Sequence, residues 1–261
     1  MTLMTKNKII TLITDFGTQD PFVGIMKGVI YNINPEVHIV DLTHHISPQD
    51  AFGGAFTLLQ SFSYFPSGTI HIAVVDPGVG GKRRGLIVES DKYLFVIPDN
   101  GIVSLAMMNE KVNIFEINNT NYFLNDVSNT FHGRDIFAPV GAYLSKGIKP
   151  IEIGVKIDDF NKFHIPEILQ NNEKFTASII HIDKFGNLIT NIDKSYLINI
   201  KHLYIKNRVI NRICHSYDEV PPGELLAIFG STNLLEISVN QDNAAVILQS
   251  QRGDPVYFDF E

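Results

Sequence analysis

Residue types able to do chemistry gather in four polar clusters along the chain. Asp76 and Arg83 share one loop, VVDPGVGGKRR, residues 74–84. An apolar run there meets Asp-Pro, then glycines, then cations. Glycine beside cations suggests a phosphate cradle, but the spacing does not fit one. A Walker A loop places glycine five residues before its Gly-Lys pair and Ser or Thr after the lysine. Those two positions hold Asp76 and Arg83, and an aspartate there would repel a phosphate. The glycines at 78, 80 and 81 also miss the dinucleotide fingerprint. The second cluster, TFHGRD (130–135), puts His132 just before a predicted helix, where a side chain can reach the edge of a site. IDKFGNLITN (182–191) and FGSTNLLE (229–236) follow, with Asp183, Asn187, Ser231 and Glu236 as polar candidates. Both also read as plain turn chemistry. The pair His44-His45 is a poor metal site, because neighbouring side chains on a strand face opposite ways and no Cys or HxxEH spacing supports it. No metal is expected.

Four apolar strands of the first half run into aspartate: LITD (Asp15), HIVD (Asp41), AVVD (Asp76) and FVIPD (Asp99). In an open α/β sheet, ligands bind beyond the carboxyl ends of the strands. Carboxylates gathered on that edge suit a cation, a metal ion or the hydroxyls of a ribose better than a polyphosphate. Asp also ends strands simply because it favours turns.

The elements that must position these groups change in kind along the chain. Up to about residue 150, strand-like runs (9–14, 37–40, 70–75, 86–88, 94–97, 112–117) alternate with helical patterns. Asp20-Pro21 and Ser47-Pro48 each open a helix, Asn100 to Met108 reads as a short helix, and Gly133 to Leu144 repeats its apolar residues every fourth position. That alternation predicts an N-terminal α/β layered domain with a largely parallel sheet. After a polar stretch, PEILQNNEK (166–174), short β-rich runs follow at 175–182, 203–205, 225–229, 234–239 and 244–248. They predict a smaller, mainly antiparallel β domain. The expected domains are residues 1–166 and 174–261.

The totals agree. In 261 residues, 44% are hydrophobic and 19% charged, as in a folded globular chain. A net charge of -7, from 21 cations and 28 anions, argues against nucleic-acid binding. One cysteine, Cys214, cannot form an internal disulfide, which fits a reducing cytoplasm. MTLMTKNKIITLITDF lacks the apolar core and cleavage site of a signal peptide. No run approaches the roughly 20 apolar residues that a membrane span needs, so no membrane partner is expected.

Taken in order, TDFGTQDPFVGIMKGVI, DLTHHISPQD, DPGVGGKRR, PDNG, TFHGRD, IDKFGNLITNI and GSTNLLEISVNQDNAA resemble one family over nearly the whole chain. It is the adenosine-forming S-adenosyl-L-methionine hydrolases, or SAM hydroxide adenosyltransferases, relatives of the fluorinases and chlorinases. The resemblance implies attack of water or hydroxide at the ribose C5′, giving adenosine and L-methionine, with S-adenosylmethionine as substrate and no cofactor. It implies a homotrimer whose sites lie at subunit interfaces. Asp76, Arg83 and His132 match the family's catalytic set, with the base, Asp76 or His132, left open. Asp15 matches the carboxylate that grips the ribose hydroxyls, and Phe131 is expected near the nucleoside. Asp183, Asn187, Ser231 and Glu236 match further substrate contacts, and Val239 is expected to offer backbone groups to adenine. The halogenases carry other residues at positions 76 and 132, a serine where Gly133 stands, and a loop insertion for which this chain has no room. Halogenation is therefore the weaker alternative. A non-catalytic adenosine or S-adenosylmethionine sensor is the other.

Overall fold

The structure, a computed structural model, describes residues 8–108, 110–172, 174–196 and 200–260. The start of the N-terminal stretch read against a signal peptide, residues 1–7, lies outside them. The chain divides into two compact units, Met1–Phe163 and His164–Glu261.

The first unit is built on a seven-stranded sheet: β1 (Ile9–Thr14), β2 (His38–Thr43), β3 (Ile70–Val74), β4 (Gly85–Glu89), β5 (Leu94–Pro98), β6 (Asn113–Ile117) and β7 (Gly154–Ile157), in the order β2-β1-β3-β5-β4-β6-β7. β2, β1, β3 and β5 pair parallel, β4 runs against β5 and β6, and β7 runs against β6. Five of the seven strands thus point one way, as the alternation of helix and strand predicts. β1 and β3 are mostly apolar runs buried on both faces, which is what central parallel strands require. Ile10 pairs with Ile70 and Leu12 with Ile72, and these four face helices α1 (Phe22–Ile33) and α3 (Ala138–Ser145) in one core. In α1, Val23, Met26 and Ile30 are the buried stripe. Thr11 and His71, of opposite parity, meet across the strands on the other face, with Thr11 Oγ1 2.7 Å from His71 Nδ1. Burial drives His71 down to about 4, so it is neutral, and its ring stacks on Phe95 at 5.2 Å.

Several local expectations change. Helix α2 (Ala51–Ser61) starts at Asp50, whose side chain accepts from the Gly53 N–H at 3.0 Å, and not at Ser47-Pro48. Residues 101–108 form consecutive turns instead of a helix. β2 continues through Asp41 to Thr43, so that aspartate lies within the strand and not at its end.

The second unit is a nine-stranded sheet of β8 (Leu169–Asn171), β9 (Lys174–Ile182), β10 (Leu188–Asp193), β11 (Ile200–Ile205), β12 (Arg208–Ile210), β13 (Ile213–Cys214), β14 (Leu225–Phe229), β15 (Leu234–Val239) and β16 (Pro255–Phe260). All pairings are antiparallel except β13 with β14. Ile179, Leu188, Leu203, Ile237 and Phe258 lie in its core. The run Ala244–Leu248, read as β, is mostly a short helix. The chain has two such one-turn helices among the described residues, α4 (Pro150–Ile153) just before β7 and α5 (Ala244–Ile247) between β15 and β16. Asn243 causes the second by accepting the Val246 N–H on its side chain at 2.9 Å. Among the described residues no helix is long and apolar enough to cross a membrane.

Candidate active site

Asp76 follows directly on Val75 at the carboxyl end of β3. The loop then doubles back through two turns, Val79 N–H to Asp76 O at 3.2 Å and Gly81 N–H to Gly78 O at 3.0 Å. Gly80 takes φ +74°, and a β-carbon there would lie 2.1 Å from the Asn129 carbonyl oxygen. Glycine at 80 therefore lets this loop press on the backbone that precedes His132. The return brings Arg83 onto Asp76. Its Nε donates to Oδ1 at 3.0 Å and to Oδ2 at 2.9 Å, and Nη2 donates to Oδ2 at 2.5 Å. The same Nη2 lies 2.7 Å from His132 Nδ1, and the guanidinium sits over the Phe137 ring at 5.1 Å. The Asp76 and Arg83 side chains are only 5% and 12% exposed, so this is a shielded, charge-assisted set.

That geometry determines a proton. Arginine only donates, so Nδ1 of His132 must accept and carries no hydrogen. Burial first, and the Arg83 cation second, hold His132 below its ordinary range. The neutral ring must then carry its proton on Nε2. His132 thereby keeps its donor at Nε2 while Nδ1 is engaged by Arg83, and its ring also has a hydrogen-bond partner in the Ser128 backbone.

His132 leads into one turn of π-helix, Gly133–Phe137, before α3, a distortion common at functional sites. Asp135 fastens the preceding loop: its Oδ2 accepts the Ser128 N–H at 2.8 Å, and Ser128 Oγ accepts the Phe131 N–H at 3.0 Å. Burial works against the Asp135 carboxylate, yet Arg134 and Ser128 hold it below the usual range. Phe131 packs edge-on to Phe16 at 5.8 Å and to Phe22 at 5.3 Å. A β-carbon on Gly133 would stand 3.3 Å from Met26 Sδ and from both the Phe131 and Phe16 rings, tighter than ordinary contact.

The other aspartates separate by their partners. Asp41 pairs with Lys27 at 2.5 Å and His44 at 3.0 Å. Asp99 accepts from Arg84 at 2.7 Å and from the Asn161 N–H at 2.7 Å, and Arg84 also reaches Asp159 at 3.0 Å. Arg84 thus ties the strand end to residues 159–161. Lys82 is exposed. Asp15 alone of the four has no ion pair among the described residues; it accepts only the Gln49 N–H, at 2.8 Å, from a residue held at φ +66°. Its remaining lone pairs suit a vicinal diol. His44 is engaged with Thr14 at 2.9 Å as well as Asp41, and no group of three His, Cys, Asp or Glu among the described residues could hold a metal ion.

In the second unit, Asp183, Asn187, Ser231, Glu236 and Val239 line a single cavity of about 870 Å³, with Phe185, Phe229 and Tyr217. Asp183 organises its turn: Oδ1 accepts the Phe185 and Asn187 N–H groups, both at 2.9 Å, and Oδ2 accepts Asn187 Nδ2 at 2.8 Å. Gly186, at φ +88°, lies so close to Asn243 that a β-carbon would stand 2.1 Å from its amide oxygen. Glu236 is 8% exposed, and burial, then Asp183, push its carboxyl up. Tyr217 was not among the sequence candidates. Its signal is the Ser216-to-Glu219 capping box, which sets the short 3-10 turn it begins.

Two domain models cover this chain, the N-terminal domain of SAM hydroxide adenosyltransferases over residues 10–154 and their C-terminal domain over residues 177–257. The chain belongs to that family. A protein of Salinispora tropica named (R)-S-adenosyl-L-methionine hydrolase is 36% identical over 256 residues, covering 96% of this chain and 97% of its own. One of the same name from Methanocaldococcus jannaschii is 37% identical over 259 residues, covering 92% and 91%. Fluorinases are also relatives at lower identity, 26% over 219 residues for that of an Actinoplanes species. Among solved structures, an uncharacterized conserved protein of Thermotoga maritima superposes with a TM-score of 0.88 at 31% identity, covering 96% of this chain and 99% of its own. Membership of the SAM hydroxide adenosyltransferases agrees with the resemblance carried by the seven motifs.

Proposed function

We propose that this enzyme hydrolyses S-adenosyl-L-methionine to adenosine and L-methionine. The observation that carries the reading is the bonded set Asp76–Arg83–His132 in a chain of this family. The sulfonium is already a good leaving group, so the difficulty lies with the nucleophile: water must be held in line with the C5′–S bond. A C5′–O bond forms, the C5′–S pair leaves with sulfur as methionine, and one water proton is released. Asp76 accepts that proton, since its oxygens keep lone pairs beyond those Arg83 uses. His132 donates from Nε2 to the water oxygen, and Arg83 stabilises the developing hydroxide. In this reading Asp76, and not His132, is the base. Asp15 takes the ribose hydroxyls, Phe131 lines the nucleoside side, and Asp183, Asn187, Ser231, Glu236 and Val239 bind the rest of the substrate.

The reaction so written uses no cofactor. We further propose a homotrimer in the cytoplasm, with each site shared between subunits. The split of polar candidates between the two units supports this, as do exposed apolar side chains such as Phe22, Tyr31 and Phe185. The lone, buried Cys214 fits a reducing compartment.

The test is the product profile on the two sulfonium diastereomers, with and without chloride or fluoride. The curated relatives are named for the (R) form, and adenosine plus methionine from it, independent of halide, is the expected result. Bound adenosine with no turnover would favour the sensor, and a halogenated nucleoside the halogenase. Mixing Asp76→Asn with Glu236→Gln subunits should restore activity if sites are shared between chains.

A further inference from the structure

Glu236 is a buried carboxylate without a counter-ion. It lies in β15 between Ile189 and Ile228, and among the described residues no cation pairs with it. Its partner is the Tyr217 hydroxyl, which donates to Oε2 at 3.0 Å. The other oxygen, Oε1, rests against Gly230, where an added β-carbon would stand only 1.6 Å away. Tyr217 and Gly230 therefore hold the carboxylate from two sides, and all three line the same cavity. Burial raises the Tyr217 phenol to about 12, so it keeps its proton and stays a donor at neutral pH.

A carboxylate held this way calls for a cationic ligand group, because an unpaired buried charge is costly. S-adenosylmethionine offers two cations. The sulfonium has no N–H or O–H to donate. The α-ammonium has three donors, and it would find acceptors on both Glu236 and Asp183. The amino group of adenine donates too, but it is neutral and would leave the charge uncompensated.

We propose that Tyr217 is a positioning residue for substrate recognition, its hydroxyl aiming the Glu236 carboxylate at the α-ammonium of the amino-acid end. The inference rests on the function proposed above and assigns a residue outside the family motifs. It is tested with Tyr217→Phe, which keeps the ring and removes the donor. kcat/KM for S-adenosylmethionine should fall roughly tenfold, the low end for a hydrogen bond to a charged group, with most of the change in KM. The inhibition constant of adenosine should not move. The decisive comparison is an S-adenosylmethionine analogue lacking the α-amino group, measured as a competitive inhibitor so that its own turnover is not needed. Tyr217→Phe should not weaken it. Gly230→Ala, which displaces Oε1 from the other side, should repeat the pattern. An equal penalty on the desamino analogue or on adenosine overturns the inference, as does an unchanged KM. A wild-type protein that neither binds nor hydrolyses S-adenosylmethionine overturns the underlying function instead, and the inference with it.

Discussion

Arg83→Lys keeps the positive charge and most of the stem, so it isolates geometry from electrostatics. Arg83 makes three donations to Asp76 and one to His132, with Nη2 serving both partners. A lysine ammonium is a single point. It can sit against Asp76 or against His132 Nδ1, but it cannot reproduce the planar fork that spans them. At least two charge-assisted bonds are lost, each worth roughly 1.5–3 kcal/mol. His132 then loses the partner that fixes its tautomer, and Nε2 is no longer committed to donating. Removing one preorganised donor of this kind typically costs about 10²–10³ in kcat. Arg83→Lys should therefore lower kcat for adenosine release by about that factor. The KM for S-adenosylmethionine should change less than about threefold, since in the proposed reaction Arg83 meets the nucleophile and not the bound nucleoside. The assay is initial-rate chromatography of adenosine, well below the melting temperature of the variant. The spectroscopic companion is the ¹⁵N shift pattern of His132, expected as the Nε2–H tautomer in the wild type and mixed in the variant. A kcat within threefold of wild type would refute the reasoning, because it would show that charge alone suffices.

Three further outcomes are expected. In kcat, the acid limb should lie below pH 6.5, because burial and Arg83 hold His132 below its ordinary 6.5; the stability tied to neutral His132 is complete above 6.5 and is lost as pH falls through its lowered folded value. A kcat limb at or above 6.5, or one that persists in His132→Gln, would contradict this. Glu236→Gln should lose substrate affinity yet raise the melting temperature at pH 8. Its carboxyl is raised from 4.5 by burial and then by Asp183, so folding carries a penalty that sets in as pH rises through that window and stays above it. The gain should be about 1 kcal/mol, near 2–4 °C at this size, and should vanish toward pH 4 in a calorimetric series. Gly80→Ala should cost roughly 1–3 kcal/mol of backbone strain and cut activity more than tenfold, because its β-carbon meets Asn129. Gly147→Ala is the control, with φ +93° and nothing within 4 Å; equal activity losses in the two would show that the Asn129 contact is irrelevant.

What could be read from residues alone was whatever is encoded locally. The apolar runs of β1 and β3 announce buried parallel strands, and Asp-Pro followed by three glycines announces a tight loop that ends in cations. What escaped depends on partners remote in sequence. Four strand-associated aspartates look alike in the sequence, yet Lys27, Arg83 and Arg84 pair with three, and Asp15 has no ion pair among the described residues. The role of Arg84 is hidden in the sequence because its partner Asp159 is 75 positions away. Ala244–Ile247 has β-like composition, and a single capping amide on Asn243 turns it into a helix. Tyr217 sits in an ordinary turn and acquires meaning only where β15 brings Glu236 beneath it. The tautomer of His132 is likewise invisible until an obligate donor is seen at its Nδ1.

The tie between Arg84 and residues 159–161 bears on how the protein can be dissected. The last strand of the first unit ends at Ile157, and a cut there would look safe by secondary structure. It would remove Asp159 from Arg84, the Asn161 N–H from Asp99 and the Phe163 N–H from Ser104 Oγ. Arg84 is the chain neighbour of Arg83, so the damage would arise one residue from the arginine that orders Asp76 and His132. A fragment of the first unit meant to keep its loop architecture should run through Phe163. Fusion tags and linkers belong beyond that residue.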